Sequence, residues 1–324
     1  MIGFYLNASE KIGLGHYNRC LLIHKLIEKE SLFFTESQKL KEILTKNKIK
    51  YTFVKKSKSL SSLFFNKKIK ILIIDLQYLN KDIKEFLKEN KEIFTVILAD
   101  KHKGNNDTNL TIFPEITKNK KEGVFSGKKY VLIPKLPKKK KITKVQNIMI
   151  SMGGSDPHNI TKKTVELISD IDVKIKLNIV LGRFYKSKSL LIKLMLKTSI
   201  KYKIYDSQKN LKYLMLKNDL LITNSGITKY EAFAMKLPSI IVSNSVESNL
   251  DQKNFSDLGG SIFIGDVHSK KLNNLKNIIL KLIKNKKIIW KMQIACKNYF
   301  DGHGPKRILK MINNKYKKHS KLNK

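Results

Sequence analysis

At 324 residues the chain is longer than one hydrophobic core usually organises, so two domains of roughly 150 residues are expected. A hydrophobic fraction of 41% with few glycines and prolines excludes a fibrous or mostly disordered chain. The formal charge of +40 arises from 66 Lys+Arg against 26 Asp+Glu, yet the lysines are scattered through every segment, so neither a shaped basic patch nor a nucleic-acid partner is expected.

Short apolar runs alternate with stretches of helical spacing, the pattern of repeated β-α units on a parallel sheet. Strands are predicted at Ile2 to Leu6, Leu32 to Thr35, Tyr51 to Val54, Ile69 to Asp75 and Phe94 to Ala99. The series restarts at Asn147 to Met152, Lys176 to Leu181, Lys201 to Tyr205, Asp219 to Thr223 and Ser239 to Ser243. The restart predicts two Rossmann-like domains, 1–142 and 143–324. Between them, Ile133-Pro134-Lys135-Leu136-Pro137 and the run Lys138 to Lys141 read as an exposed, solvated connection. From Lys306 onward Ile308, Leu309 and Ile312 predict a terminal helix that packs back on the first half, and the tail Lys315 to Lys324 reads as a disordered end. Cys20 and Cys296 are too few for a disulfide framework, the first residues lack the pattern of a signal peptide, and no apolar run reaches the ~20 residues needed to span a bilayer; a cytoplasmic protein is expected.

In open parallel sheets ligands bind beyond the carboxyl ends of the strands, which directs attention to three loops. The first, Lys11 to Cys20, contains Gly13 and Gly15 followed by His16 and then a helix. Its backbone N–H groups suit an anion, and the positive end of the helix dipole favours a neutral His16 imidazole, which is able to act as a base. Two other readings compete here. A dinucleotide fingerprint with Glu36 as ribose acceptor is weakened by Asn18 at the third glycine position. His16, Cys20 and His24 share a helix face at metal-ligand spacing, but Cys20 is better read as a small core residue, so no metal is expected.

The second loop, Met152-Gly153-Gly154-Ser155-Asp156-Pro157, follows the first strand of the second half. Asp156 is expected to cap a helix whose first residue is Pro157, leaving the glycine backbone to approach a phosphate or to form only a capped turn. The third loop, Asn224-Ser225-Gly226-Ile227-Thr228, offers an amide, hydroxyls and a helix start to a diphosphate. Glu231, one turn further, either accepts the ribose hydroxyls or simply favours the helix dipole. Gln252 places another amide after the following strand.

Taken in order, Ile12-Gly13-Leu14-Gly15-His16 with Arg19-Cys20, Ile73-Ile74-Asp75 with Tyr78, Gly127 to Leu132, Met152 to Asp156, Ser225-Gly226, Tyr230-Glu231-Ala232, Asp251-Gln252 and Asp301 to Arg307 carry a family likeness over nearly the whole chain. The chain resembles the UDP-2,4-diacetamido-2,4,6-trideoxy-β-L-altropyranose hydrolases of pseudaminic acid synthesis, which are similar to the lipid II-forming N-acetylglucosaminyltransferase. That resemblance implies a GT-B architecture, two α/β domains whose parallel sheets face each other across a cleft. It implies that His16 activates water at the anomeric carbon with Tyr78 nearby, and that UDP is released without a metal or cofactor. Gly13, Gly15 and Arg19 are expected on the substrate. Gly153, Gly154, Ser155, Asn224, Ser225, Gly226 and Thr228 are expected on the phosphates and uridine, Glu231 on ribose, and Gln252 on the substrate. The chain departs from the family pattern at Asn7, at the residues flanking Tyr78 and at Ile133 to Leu136, which leaves the sugar open. A UDP-sugar glycosyltransferase on the same fold and a non-catalytic anion-binding protein are the alternative readings.

Overall fold

A computed structural model describes residues 1–9, 12–28, 30–55, 59–98, 107–117, 122–208 and 210–322. Lys11, Ala99 and residues 323–324, included in the segments above, lie outside them. By their contacts the residues form two units, 1–134 with 303–324, and 135–302.

Among the described residues of the first unit seven parallel strands are ordered β3-β2-β1-β4-β5-β6-β7. They are β1 (Ile2–Leu6), β2 (Ser31–Thr35), β3 (Tyr51–Phe53), β4 (Ile71–Asp75), β5 (Phe94–Leu98), β6 (Leu110–Phe113) and β7 (Val124–Ser126). The described residues of the second unit hold six, ordered β10-β9-β8-β11-β12-β13. These are β8 (Asn147–Ser151), β9 (Lys176–Leu181), β10 (Lys201–Asp206), β11 (Leu220–Asn224), β12 (Ser239–Ser243) and β13 (Ser261–Asp266). The uninterrupted apolar runs of β4, β5 and β12 are buried along their whole length, as strands covered by helices on both faces must be. Sequence patterning assigned no strand to β6, β7 or β13. β7 is only three residues long and half-buried, and β13 follows Gly259-Gly260, which reads as a turn.

Each sheet reverses its winding beside its first strand. β1 lies between β2 and β4, and β8 between β9 and β11, so each unit has a switch point where two connections leave in opposite directions and open a crevice at the strands' carboxyl ends. The loops after β1, β4, β8 and β11 therefore border the two crevices.

The boundary falls at Pro134, before the expected 142, because the lysine run is bonded into the second unit. Lys139 N donates to Met235 O at 2.8 Å, its Nζ donates to Leu216 O at 2.6 Å, and Ile142 N donates to Gln293 Oε1 at 2.9 Å. Lys139 is thus not a solvated linker residue. The tail also differs from expectation, since residues up to Leu322 form one helix, Gly304–Leu322. That helix packs on the Gly15–His24 helix, on β5 and on the 3-10 turn Lys128–Tyr130, and Tyr316 and His319 stand edge-on to Phe94 at 6.0 and 5.4 Å. At its first residue a Cβ would lie 2.0 Å from Val131 O, so Gly304 is required for this close approach. Among the described residues no helix is long and apolar enough to cross a membrane.

Candidate active site

The loop after β1 folds on itself. Gly13 has φ +75° and donates its N–H to Ser9 O at 2.7 Å, while Ser9 Oγ accepts from Ile12 N at 3.1 Å. The helix Gly15–His24 starts immediately afterwards, burying Tyr17, Cys20 and Ile23 and leaving His16 and Arg19, one turn apart, on a second face. A Cβ on Gly15 would meet nothing within 4 Å, so that glycine borders open space.

The register Leu6↔Asp75 places the last residue of β4 beside the end of β1, and Asp75 meets both polar side chains there. His16 Nδ1 lies 2.6 Å from Asp75 Oδ1. Arg19 donates from Nη2 to Oδ1 at 2.8 Å and from Nε to Oδ2 at 3.1 Å. Asp75 is fully buried, and 13% of the His16 side chain is exposed. Burial alone would raise the Asp75 carboxyl, but the Arg19 charge, together with His16 and the hydrogen bonds from both, holds it below the usual carboxylate range. An ionised carboxylate only accepts, so the His16 Nδ1 carries the hydrogen, and the 2.9 Å approach of Arg19 Nη2 to Nδ1 is a close contact of two donors. In a neutral ring Nε2 is then the lone-pair nitrogen, and it has no partner among the described residues. A buried carboxylate thus sets which ring nitrogen of His16 carries the hydrogen.

Tyr78, three residues beyond β4, is 55% exposed at the same end of the sheet. Arg19, expected on the substrate, has its guanidinium engaged by Asp75. The three residues at metal-ligand spacing diverge: Cys20 Sγ is 3.8 Å from Asp75 Oδ2, and His24 Nδ1 pairs with Ser31 Oγ at 2.8 Å. Burial first, and then Asp75, push the Cys20 thiol well above its usual range. Among the described residues no group of three His, Cys, Asp or Glu is placed to hold a metal ion. Glu36, the ribose acceptor of the dinucleotide reading, already accepts from the Tyr5 hydroxyl.

In the second unit the loops after β8 and β11 are braced by Asn224, whose Nδ2 donates to Met152 O at 2.7 Å and whose Oδ1 accepts from Gly226 N at 3.1 Å. The Asn224 amide therefore shapes both loops from within. Gly153 has φ +81°, and the backbone N–H groups of Gly153, Gly154 and Ser155 donate to no described residue, leaving a row of donors suited to an anion. Asp156 caps the next helix, but later than the sequence suggests. With φ +44° it accepts from Ile160 N and Thr161 N, each at 2.8 Å, and the helix begins at Ile160 because Asn159 in the left-handed region interrupts the chain after Pro157.

Behind the glycines stands Gly182, directly after β9. A Cβ there would lie 2.2 Å from Gly153 O and 2.3 Å from Gly154 O, so no other residue fits against this loop. Gly182 is not among the residues expected at the site; its signal in the sequence is a glycine at the exit of a strand that neighbours β8. Asp75 enters the sequence pattern as a strand end and as part of the Ile73-Ile74-Asp75 likeness, with no role for its carboxylate.

Ser225 and Gly226 lead into the helix Thr228–Ala234, where Thr228 is buried and Glu231 is half-buried. Burial pushes the Glu231 carboxyl up to about 7, Lys212 countering only in part, and no described side chain hydrogen-bonds to it. A carboxyl raised on folding contributes stability that is fully present below its ordinary value and lost as pH rises through the raised one. Glu231→Gln is therefore expected to raise the melting midpoint at pH 8 by about 2–4 °C and to leave it unchanged at pH 4, as thermal denaturation at the two pH values would show. Gln252, in the helix Asn249–Ser256, is buried, with its Oε1 on the Lys229 ammonium.

No family model matches the chain. It is 27% identical over 304 residues to an uncharacterised protein of Methanocaldococcus jannaschii, which covers 85% of this chain and 60% of that protein. It is 25% identical over 122 residues to the Bacillus subtilis spore coat polysaccharide biosynthesis protein SpsG, 37% of this chain and 36% of that one. The chain thus spans less than two thirds of the length of either curated relative. Among solved structures it is similar to MurG of Acinetobacter baumannii, with a TM-score of 0.70, 11% identity and 97% and 99% of the two chains covered. Similar likenesses hold for the spinosyn rhamnosyltransferase SpnG complexed with thymidine diphosphate (TM-score 0.67, 10% identity, 97% and 100% covered) and for the Neisseria meningitidis UDP-GlcNAc 2-epimerase bound to UDP-GlcNAc (0.60, 14%, 97% and 100%). With its two parallel-sheet α/β units, the chain has the GT-B fold.

Proposed function

We propose that this chain is a nucleotide-sugar enzyme that hydrolyses a UDP-linked diacetamido-trideoxy sugar at the anomeric carbon, in the synthesis of a surface glycan. The observation that carries this reading is His16, its Nδ1–H held by buried Asp75 and its Nε2 free to accept a proton. On this reading the Gly153 to Ser155 amides hold the diphosphate, Ser225, Gly226 and Thr228 extend that site, and Glu231 accepts from the ribose hydroxyls. Gly13 and Gly15 let the sugar approach, with Tyr78 beside it. Water loses a proton to His16 Nε2 as its oxygen bonds to the anomeric carbon. The C–O bond to the β-phosphate breaks with its electron pair on the departing UDP, and Asp75 stabilises the imidazolium. A nucleoside diphosphate leaves readily once its charge is held, so neither a metal nor a cofactor enters this scheme.

Likeness to MurG and SpnG favours a second reading, a GT-B glycosyltransferase in which His16 deprotonates an acceptor hydroxyl in place of water. Incubating the protein with UDP-2,4-diacetamido-2,4,6-trideoxy-β-L-altropyranose in ¹⁸O-water, without acceptor, separates the two. Hydrolysis gives UDP and sugar labelled at its anomeric oxygen, lost in His16→Ala; UDP binding without release points to transfer. Glu231→Gln is expected to weaken UDP binding about tenfold or more, opposite in sign to its effect on melting.

A further inference from the structure

Lys229 is fully buried, which only a well-satisfied ammonium tolerates. From the first turn of the helix Thr228–Ala234 its Nζ donates to Ser225 O at 3.0 Å and to Gln252 Oε1 at 2.6 Å, with the ring faces of Tyr230 and Phe255 at 4.7 and 5.3 Å. One buried cation therefore ties the loop after β11 to the helix after β12. Its effect on Gln252 is directional. An ammonium only donates, so the amide oxygen of Gln252 must face it and the amide NH2 must face away. That Nε2 donates to no described residue, and Gln252 is otherwise buried, with 1% of its surface exposed.

We propose that Lys229 is a positioning residue that locks the Gln252 amide with its NH2 presented to an oxygen acceptor of the substrate, while pinning the Ser225 carbonyl of the neighbouring loop. The inference rests on the nucleotide-sugar reading and adds to it what Gln252 recognises: a lone-pair oxygen, of the sugar or of the diphosphate, and never a donor. Without the ammonium the amide is free to turn over, and half of its orientations present the wrong group.

Titration calorimetry with UDP and with UDP-GlcNAc tests this on the wild type, Lys229→Met, Gln252→Ala and the double variant. Each single change is expected to weaken binding about 10- to 100-fold, and the double variant no more than the worse of the two, because both remove the same hydrogen bond. Losses that multiply in the double variant would overturn the lock. Loss confined to UDP-GlcNAc assigns the acceptor to the sugar, and equal loss for both ligands assigns it to the diphosphate. Gln252→Glu guards against a mere folding defect. It keeps the size and the oxygen facing Lys229 but replaces the NH2 by a second acceptor, so the melting midpoint should hold while affinity falls by the same factor; wild-type affinity in that variant would refute the proposal. A wild-type protein that binds neither ligand would instead overturn the nucleotide-sugar reading itself.

Discussion

Asp75→Asn is expected to lower turnover of the nucleotide sugar by about 10³- to 10⁴-fold, the scale seen when an orienting carboxylate is neutralised beside a histidine base. An amide in place of the carboxylate turns either its NH2 or its single oxygen toward His16. With the NH2 facing Nδ1, the imidazole proton moves to Nε2 and the nitrogen that should accept a proton no longer does. With the oxygen facing Nδ1, Arg19, which now reaches both carboxylate oxygens, is left opposite an NH2. Either way a half-buried guanidinium loses a fully buried counter-charge, which costs up to about 3–5 kcal/mol. The variant should therefore melt well below the wild type at neutral pH. Because the Asp75 carboxyl is held below its ordinary value, its contribution is present above about pH 4 and lost as pH falls below it, so the two proteins should converge in acid. UDP release measured with saturating substrate, alongside UDP affinity, checks the assignment. A large loss of turnover with UDP affinity retained is the expected pair of results, and unchanged turnover would remove His16 from the chemistry.

The second large effect is expected from one methyl group on Gly182. Its Cβ would meet backbone, the carbonyls of Gly153 and Gly154, and backbone cannot swing aside as the end of a side chain can. Relief requires moving the loop after β8, at about 1–3 kcal/mol of strain, and with it the three N–H groups assigned to the diphosphate. Phe184 N, which donates to Gly154 O at 2.9 Å, would move too. Gly182→Ala should weaken UDP by about 100-fold or more while His16 and Asp75, in the other unit, keep their geometry. Equilibrium titration of UDP against the folded variant is the measurement. Undiminished affinity would mean that Gly153 to Ser155 are a structural turn and that the diphosphate is held elsewhere.

The parts of this molecule that were legible in its sequence are those set by local rules. Unbroken runs such as Ile71 to Ile74 and Ile240 to Val242 announce buried parallel strands, and the glycines at 13, 15, 153 and 226 announce loops that leave them. Residues whose roles depend on distant partners were not legible. Asp75 lies 59 positions from His16, and only the pairing of β1 with β4 brings them together. Arg19 is expected on a ligand from the family likeness and Asn224 as an amide in the third loop, while in the structure protein groups engage both. Lys229 was hidden by composition, one of 66 basic residues in a chain where a lysine carries almost no information until its burial is known.

The helix Gly304–Leu322 has a bearing on how the protein is made. The second unit is one uninterrupted stretch, 135–302, whereas the first needs both 1–134 and 303–324. During synthesis from the N-terminus, β1 to β7 emerge first yet wait for their last helix until the whole second unit has been translated. The faces of β5 and of the Gly15–His24 helix that this helix covers stay open in the interval. The unit that carries His16 is therefore completed only after the second has been made, and a chain truncated near residue 300 should hold a complete second unit attached to an unfinished first one.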